Sequence, residues 1–500
     1  MATSVSTRAR SMLALLAGGL TPFAFAPYAF WPLAVAAPTI LLLLIRDLAP
    51  RLAARLGWLY GLGLFGHGVW WIQVSVHQFG VPYYVFSVGV TAVFIAVMAL
   101  YPALFAWLVR TLAHGRSTVT LILAPPLWVL VEFLRGWLGT GFPWLSLGYS
   151  QIDGPLAGYA PVIGVGGASL LVMIMAAAAA WAVTRRGKAI PVAVIVIVVL
   201  LGSGVALKRV EFTTPLGSPL EAGLVQGAVP QVLKWQAAQR EEALARYLAL
   251  SESLWSADVV IWPETAIAAF PQEVPEIIDS LKRRARAHGT DLLVGMPTGK
   301  PWNGRYFNSL VGLGAHGGRY DKRHLVPFGE FFPFKDALSG IAALLDIPLS
   351  DFSAGSDDVL TLHAAGHAAG ISICYEDAFG REVIAALPQA AFLVNVSNDA
   401  WFGDTIAPHQ HLEIARMRAL ETGRYLLRGT NTGITAVIDH QGRIRARAPQ
   451  FTATALRASF EARSGATPYV MTGDGPLVAL LSVVVGLIVW RQRGQGDAIR

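Results

Sequence analysis

Repeated apolar runs of near-bilayer length constrain this chain more than any other feature. A membrane-spanning helix takes roughly 20 predominantly apolar residues. Runs of that character fall at residues 12–26, 30–45, 56–71, 85–109, 119–134, 160–183, 189–205 and 477–490. The first two are short and are split by Pro22, Pro27 and Pro32, so they also fit one broken hairpin. Arg8 and Arg10 ahead of an apolar run resemble a secretory leader, but more spans follow, and an uncleaved first helix is expected. With 54% hydrophobic and 14% charged residues, the chain is too apolar for a soluble globule of 500 residues.

The arginines orient these spans. Arg8 and Arg10 precede the first; Arg46, Arg51 and Arg55 lie between the second and third. Arg110 and Arg116 follow the fourth, Arg185, Arg186 and Lys188 the sixth, and Arg491 and Arg493 the last. The loop 72–82 has neither Lys nor Arg. The positive-inside rule then puts both termini in the cytoplasm and residues 208–475 outside. The net charge of +7 is largely accounted for by these cytoplasmic arginines, so a nucleic-acid partner is not expected. Trp70, Trp71, Tyr83 and Tyr84 at span ends read as interfacial anchors. Glu132 and Arg135 near the outer end of the fifth span read as a mutual structural pair, with head-group contact as the second reading.

Three parts follow: a membrane domain over 1–207 with about seven spans, a polar domain over 220–463, and a C-terminal transmembrane helix at 476–491. Residues 213–218 and 464–475 read as linkers. In the polar domain, β-rich runs at 222–226, 258–262, 291–295, 308–313, 370–374 and 391–396 alternate with helical patterns at 235–255, 275–288 and 408–421. That alternation predicts an α/β layered domain. The run 308–313 followed closely by 318–320 reads as a hairpin, so a mixed sheet is expected.

Cys374 is the only cysteine. It cannot form an intramolecular disulfide, so it is either packing filler or a reactive thiol. The apolar residues before it read as a buried strand, and Tyr375-Glu376-Asp377 after it as that strand's mouth. Two further strand ends carry complementary chemistry. Ile261-Trp262-Pro263-Glu264 leaves a carboxylate just past a buried strand, and Tyr320-Asp321-Lys322 places an ammonium after the hairpin. A thiol nucleophile needs a base for its proton and a positive group for the oxyanion that forms. Glu264 and Lys322 fit those roles if the fold brings them together. Taken singly, each is more easily a turn residue or a solvated charge.

Taken with their flanks, these three sites resemble the Glu-Lys-Cys triad of the nitrilase (carbon–nitrogen hydrolase) superfamily. Longer strings are similar to one branch, the apolipoprotein N-acyltransferase family. They are Val225-Gln226-Gly227, Pro230-Gln231, Lys234-Trp235, residues 324–330, NVSNDAWFG at 395–403 and PHQHL at 408–412. In the membrane part, Gly141-Phe142-Pro143-Trp144 and Gly148-Tyr149-Ser150-Gln151 carry the same resemblance. It covers essentially the whole chain, with no departure at the triad. It implies a multi-span α-helical membrane bundle plus an extracytoplasmic α/β nitrilase-like layered sandwich domain. It implies Glu264 as general base, Lys322 as stabiliser of the tetrahedral intermediate and Cys374 as nucleophile. The family's supporting positions match Trp235, Glu330, Tyr375 and Glu376.

The implied reaction moves an acyl chain from a phospholipid to Cys374. From there it passes to the α-amino group of the N-terminal S-diacylglyceryl cysteine of an apolipoprotein. The implied enzyme is a monomer in the bacterial inner membrane, catalytic domain facing the periplasm, with no cofactor. Two other readings stay open at this point: a membrane-tethered amidase acting on soluble substrates, and a transporter or lipid-binding scaffold. Strand alternation adds that 374 and 376 share a face, which would aim Glu376 into the site and Tyr375 away. A zinc site at His409 and His411 is not expected, since two residues subtend about 200° on a helix. His363 and His367, four apart, have strand-like flanks.

Overall fold

The computed structural model describes residues 6–80, 83–234, 237–300, 302, 304–331 and 351–497. The chain divides into two compact units. One comprises Met1–Val76, Tyr83–Val210 and Thr472–Arg500; the other comprises His77–Pro82 and Glu211–Met471.

The first unit is helical. Among the described residues, five helices are long and apolar enough to cross a membrane: Tyr84–Leu112, Ser117–Arg135, Pro155–Arg185, Ala189–Leu207 and Gly475–Gln492. The other three expected spans fall on Thr7–Leu20, Pro32–Ile45 and Pro50–Gly68. The first two have 14 residues each, so each is about 21 Å long, against a hydrocarbon core of about 30 Å. The third has the length, but Arg51, Arg55 and several glycines dilute its hydropathy. The glycines are there for contact. A Cβ at Gly63 would lie 2.2 Å from Leu15 O, one at Gly18 1.9 Å from Tyr60 O, and one at Gly57 2.3 Å from Pro102 O. Helix backbones touch at these points, and only small residues permit that.

Glu132 and Arg135, at the end of Ser117–Arg135, hold the string that follows them. Trp128 Nε1 and the Leu147 amide donate to Glu132 Oε1 at 2.8 and 2.9 Å. Arg135 donates to Phe142 O at 2.7 Å, to Trp144 O, and to Ser146 Oγ at 3.1 Å. The structural role expected of this pair therefore includes pinning the irregular backbone of residues 141–147, whose polar groups lipid would not satisfy.

The second unit is a sandwich. Its strands are β1 (Thr213–Pro215), β2 (Leu220–Gln226), β3 (Val259–Trp262), β4 (Asp291–Lys300), β5 (Arg305–Gly312), β6 (Arg319–Asp321), β7 (Thr361–Ala364), β8 (His367–Ile373), β9 (Phe392–Ser397), β10 (Leu426–Thr430), β11 (Ala436–Ile438), β12 (Ile444–Arg447), β13 (Thr454–Phe460) and β14 (Arg463–Gly465). Among the described residues they form two six-stranded sheets, ordered β13-β2-β3-β4-β5-β6 and β12-β11-β10-β9-β8-β7. Both are mixed: β2, β3 and β4 run parallel, as do β8, β9 and β10, with antiparallel flanks.

Alternation sorts each strand between two cores. From β3, Val259 and Ile261 enter the core between the sheets, joining Leu224, Ile371, Ile373 and Val396. Val260 and Trp262 face outward onto Tyr247, Leu254, Ile278 and Leu281 from helices Ala237–Ser251 and Pro275–His288 and the turn between. On the other outer face, Leu393 and Leu426 meet Leu412, Ala415 and Ala419 of helix Ala407–Thr422. Burial on both faces explains the unbroken apolar runs. The two stretches expected as linkers are partly paired: β1 and β14 form an antiparallel ribbon, Thr213 opposite Gly465.

Candidate active site

Glu264 sits one residue beyond Pro263, which follows β3. The turn is strained, with Thr265 at φ +50°. Gly295 on β4 lets it cross the sheet edge, since a Cβ there would lie 2.2 Å from Pro263 O. Asn308 on β5 donates from Nδ2 to Glu264 Oε1 at 2.7 Å and to Glu330 Oε1 at 2.9 Å, so one amide spaces two carboxylates. Lys234 donates to the backbone carbonyl of Glu264 at 2.9 Å. Burial pulls the Lys234 ammonium down to about 8, against the opposing charge of Glu264.

Lys322 follows β6 and is 1% exposed. Its Nζ lies 2.7 Å from Glu330 Oε2 and 3.8 Å from Glu264 Oε1. Burial acts to lower its pKa, but Glu330, Glu264 and Cys374 outweigh burial and hold it above the ordinary lysine range. Glu330 also accepts the Val326 amide at 2.9 Å, closing a loop that passes through Phe328 at φ +63°.

Cys374 leaves β8 in the left-handed region at φ +53° and opens the 3-10 turn Cys374–Ala378. A non-glycine residue held there at the end of a buried strand marks an over-determined position. Burial pushes the thiol well above its usual pKa, Glu264 pushes it the same way, and Lys322 opposes them.

The left-handed turn also changes the place expected for Glu376. Period-2 alternation ends at Ile373, so 374 and 376 do not share a strand face. Glu376 is 1% exposed and accepts four hydrogen bonds: the Ile373, Arg323 and His324 amides at 2.7, 2.7 and 3.1 Å, and Tyr320 Oη at 2.9 Å. It ties the Cys374 turn to the loop that carries Lys322. Burial raises its pKa, with the amide donors and Lys322 pulling back. Tyr375 is half-buried, its ring 5.1 Å from Phe379 and 5.8 Å from His324. Trp235 lies outside the described residues.

Behind Cys374 is a buried, charge-balanced cluster. His411 Nε2 is 3.0 Å from Asp377 Oδ1, and Nδ1 is 2.9 Å from Asp399 Oδ1. Arg428 reaches Asp377 at 3.1 Å and Asp399 at 3.2 Å. Burial and Arg428 act to lower the imidazole's pKa, but the two carboxylates raise it to about 9. Asp399 is held low because His411 and Arg428 overcome its burial. His411 Nε2 and Asn395 Nδ2 each lie 3.3 Å from the carbonyl oxygen of Cys374.

Two family descriptions match. "Apolipoprotein N-acyltransferase N-terminal domain" covers residues 17–178, and "Carbon-nitrogen hydrolase" covers 221–469. Curated proteins named apolipoprotein N-acyltransferase match nearly end to end. The one from Methylococcus capsulatus is 46% identical over 96% of this chain and 96% of its own length. The one from Vibrio cholerae is 41% identical over 97% of each. The chain belongs to the apolipoprotein N-acyltransferase family. Among solved structures, an amidase from Nesterenkonia sp. AN1 aligns with 53% of this chain and 97% of its own length, at 16% identity and TM-score 0.38.

Much of what frames the site in this apolipoprotein N-acyltransferase family member is not legible along the sequence. Asn308, Lys234, Asp377, Asp399, His411 and Arg428 were not singled out as one framework. Two strings that carried the family resemblance, NVSNDAWFG and PHQHL, contain Asp399 and His411. That was the available signal. Arg428 lies on β10, a strand not anticipated, so nothing local marked it.

Proposed function

We propose that this protein transfers an acyl chain from a phospholipid, through a thioester on Cys374, to the α-amino group of a diacylated apolipoprotein. The observation that carries the reading is the convergence of Glu264, Lys322 and Cys374, from the ends of β3, β6 and β8, in a chain whose full-length relatives bear that name. In the first half-reaction Glu264 takes the Sγ proton as the sulfur attacks the ester carbonyl carbon. The oxyanion forms beside the Lys322 ammonium. Collapse breaks the ester C–O bond, and Glu264 returns its proton to the departing lysophospholipid oxygen. In the second, the α-amine attacks the thioester carbon and loses a proton to Glu264. The C–S bond then breaks, and the thiolate recovers that proton. A helical unit whose described residues hold five membrane-length apolar helices suits a lipid donor better than a soluble amide. The catalytic unit faces outward by the arginine distribution.

The test is acyl-enzyme trapping. Phospholipid with a labelled acyl chain, without acceptor, should label Cys374 in a form sensitive to neutral hydroxylamine. The label should be absent in Cys374→Ala and much reduced in Glu264→Gln. A diacylated lipopeptide with a free α-amine should discharge it into an amide, while one acetylated at that amine should not. Label persisting in Cys374→Ala, or equal discharge by the acetylated peptide, overturns the reading in favour of a hydrolase.

A further inference from the structure

At the other end of the sandwich, two hairpins converge on one carboxylate. Asp291 opens β4. Its Oδ1 accepts the Ala315 amide at 3.2 Å, from the β5–β6 hairpin, and its Oδ2 accepts the Ala365 amide at 2.9 Å, from the β7–β8 hairpin. These hairpins belong to different sheets. Each carries a histidine beside the amide it donates: His316 next to Ala315, and His363 two residues before Ala365. Gly314 allows the approach, since a Cβ there would lie 2.1 Å from Asp291 Oδ1. The rings of His316 and His363 are 3.9 Å apart, centre to centre. One ligand atom from each of Asp291, His316 and His363 lies within 4.8 Å of the others.

We propose that Asp291, His316 and His363 form a zinc site that clips the two sheets together, separate from the catalytic centre. The donor set of two imidazoles and one carboxylate is a zinc set, and three protein ligands leave one position for water. The backbone amides on Asp291 are the outer contacts that orient a ligating carboxylate, and each oxygen keeps a lone pair for the metal. Tetrahedral zinc with bonds of about 2.0–2.1 Å needs donor atoms about 3.3 Å apart. Both histidines are exposed and free to make that adjustment by side-chain rotation. His363 pairs with Ala368 at the start of β8, so six residues, about 20 Å of strand, separate that level from Cys374. A metal here acts on the stability of the sandwich and takes no part in acyl transfer. The pairing is invisible along the sequence because 291, 316 and 363 meet only when the sheets stack.

The experiment uses full-length protein in detergent, free of any polyhistidine tag, stripped with chelator and titrated with zinc chloride. About one zinc per chain should bind, and the thermal midpoint should rise with zinc because ligand binding favours the folded state. His316→Ala and His363→Ala should each weaken zinc binding more than about tenfold, and the double variant should lose the zinc-dependent rise. Acyl transfer by the stripped wild type and by the double variant should be unchanged, which also shows that the variant is folded. Failure of the wild type to bind zinc, or retention of binding and of the rise in the double variant, overturns the proposal. Zinc binding and its effect on the thermal midpoint do not depend on the acyl acceptor, so these two readouts stand apart from the proposed function.

Discussion

In the proposed mechanism, the raised pKa of the Cys374 thiol gives Glu264 its work. Burial and a neighbouring carboxylate favour the protonated sulfur, so the proposed reaction calls for a base acting within it. Glu264→Gln keeps the hydrogen bond from Asn308 but cannot take a proton. Acylation should fall by about 10²–10⁴-fold, the usual worth of a positioned base. Glu330 acts one step further out. It lies closest to a fully buried ammonium, 2.7 Å away, and its removal leaves Lys322 with Glu264 at 3.8 Å as the carboxylate paired with it at the site. Lys322 should then swing toward the base and spoil both roles. Glu330→Ala should lower turnover by about 10²-fold or more while the protein stays folded; near-normal turnover would reduce Glu330 to a loop charge. The three residues proposed to react are legible because each is a chemically apt side chain just past a strand. Asn308, which spaces the two carboxylates, was not legible, since an Asn in a strand carries no local mark of its partners.

Strand ends and turns place these groups, and one charged cluster locks the turns. Asp377 comes from the turn after Cys374, Asp399 from the turn after β9, His411 from helix Ala407–Thr422 and Arg428 from β10. Two carboxylates balance an imidazolium and a guanidinium, so all four charges are buried without net charge. The raised pKa of His411 has a definite sign. Its stabilisation is fully present below the unfolded-state value of about 6.5 and is lost as pH rises through about 9. The span corresponds to about 3 kcal/mol. His411→Gln should therefore lower the thermal midpoint most at pH 6.5, with the gap to wild type narrowing toward pH 9.5. A gap independent of pH would mean the imidazole is neutral throughout. Glu376 shows the limit of pattern reading at this scale. Alternation aimed it at the reaction centre, but one left-handed residue ended the strand and turned it into the bracket between two loops.

Over the whole molecule, the arginine pattern makes the sharpest prediction. Reporters fused near Pro215 or Arg463 should act outside the cytoplasm, and fusions after Arg186 or Arg500 inside. A cytoplasmic signal at Pro215 would invert the orientation and put the thiol on the wrong side for its proposed substrates. Exhaustive chelation should leave acyl transfer at its full rate, because base, nucleophile and oxyanion charge are all side chains. Loss of activity with rescue by zinc, in protein that stays folded after chelation, would show that a metal takes part in the chemistry.

By itself the sequence determined the two-part architecture and singled out the residues proposed to react. Hydropathy, strand–helix alternation and side-chain type are local properties, and residues adjacent in the chain carry them. It did not determine which helices touch lipid. Pro50–Gly68 reads as weakly apolar because its glycines serve helix contacts that exist only in the bundle. It did not place β10 to β13, or show that the apparent linkers pair as β1 and β14. For β13 and for the β1–β14 ribbon, strand pairing is settled by partners more than 200 residues away. Tertiary structure alone decided what surrounds the thiol, since the Asp377–Asp399–His411–Arg428 cluster draws on four elements. It alone brought Asp291, His316 and His363 together, because that contact exists only where one sheet lies on the other.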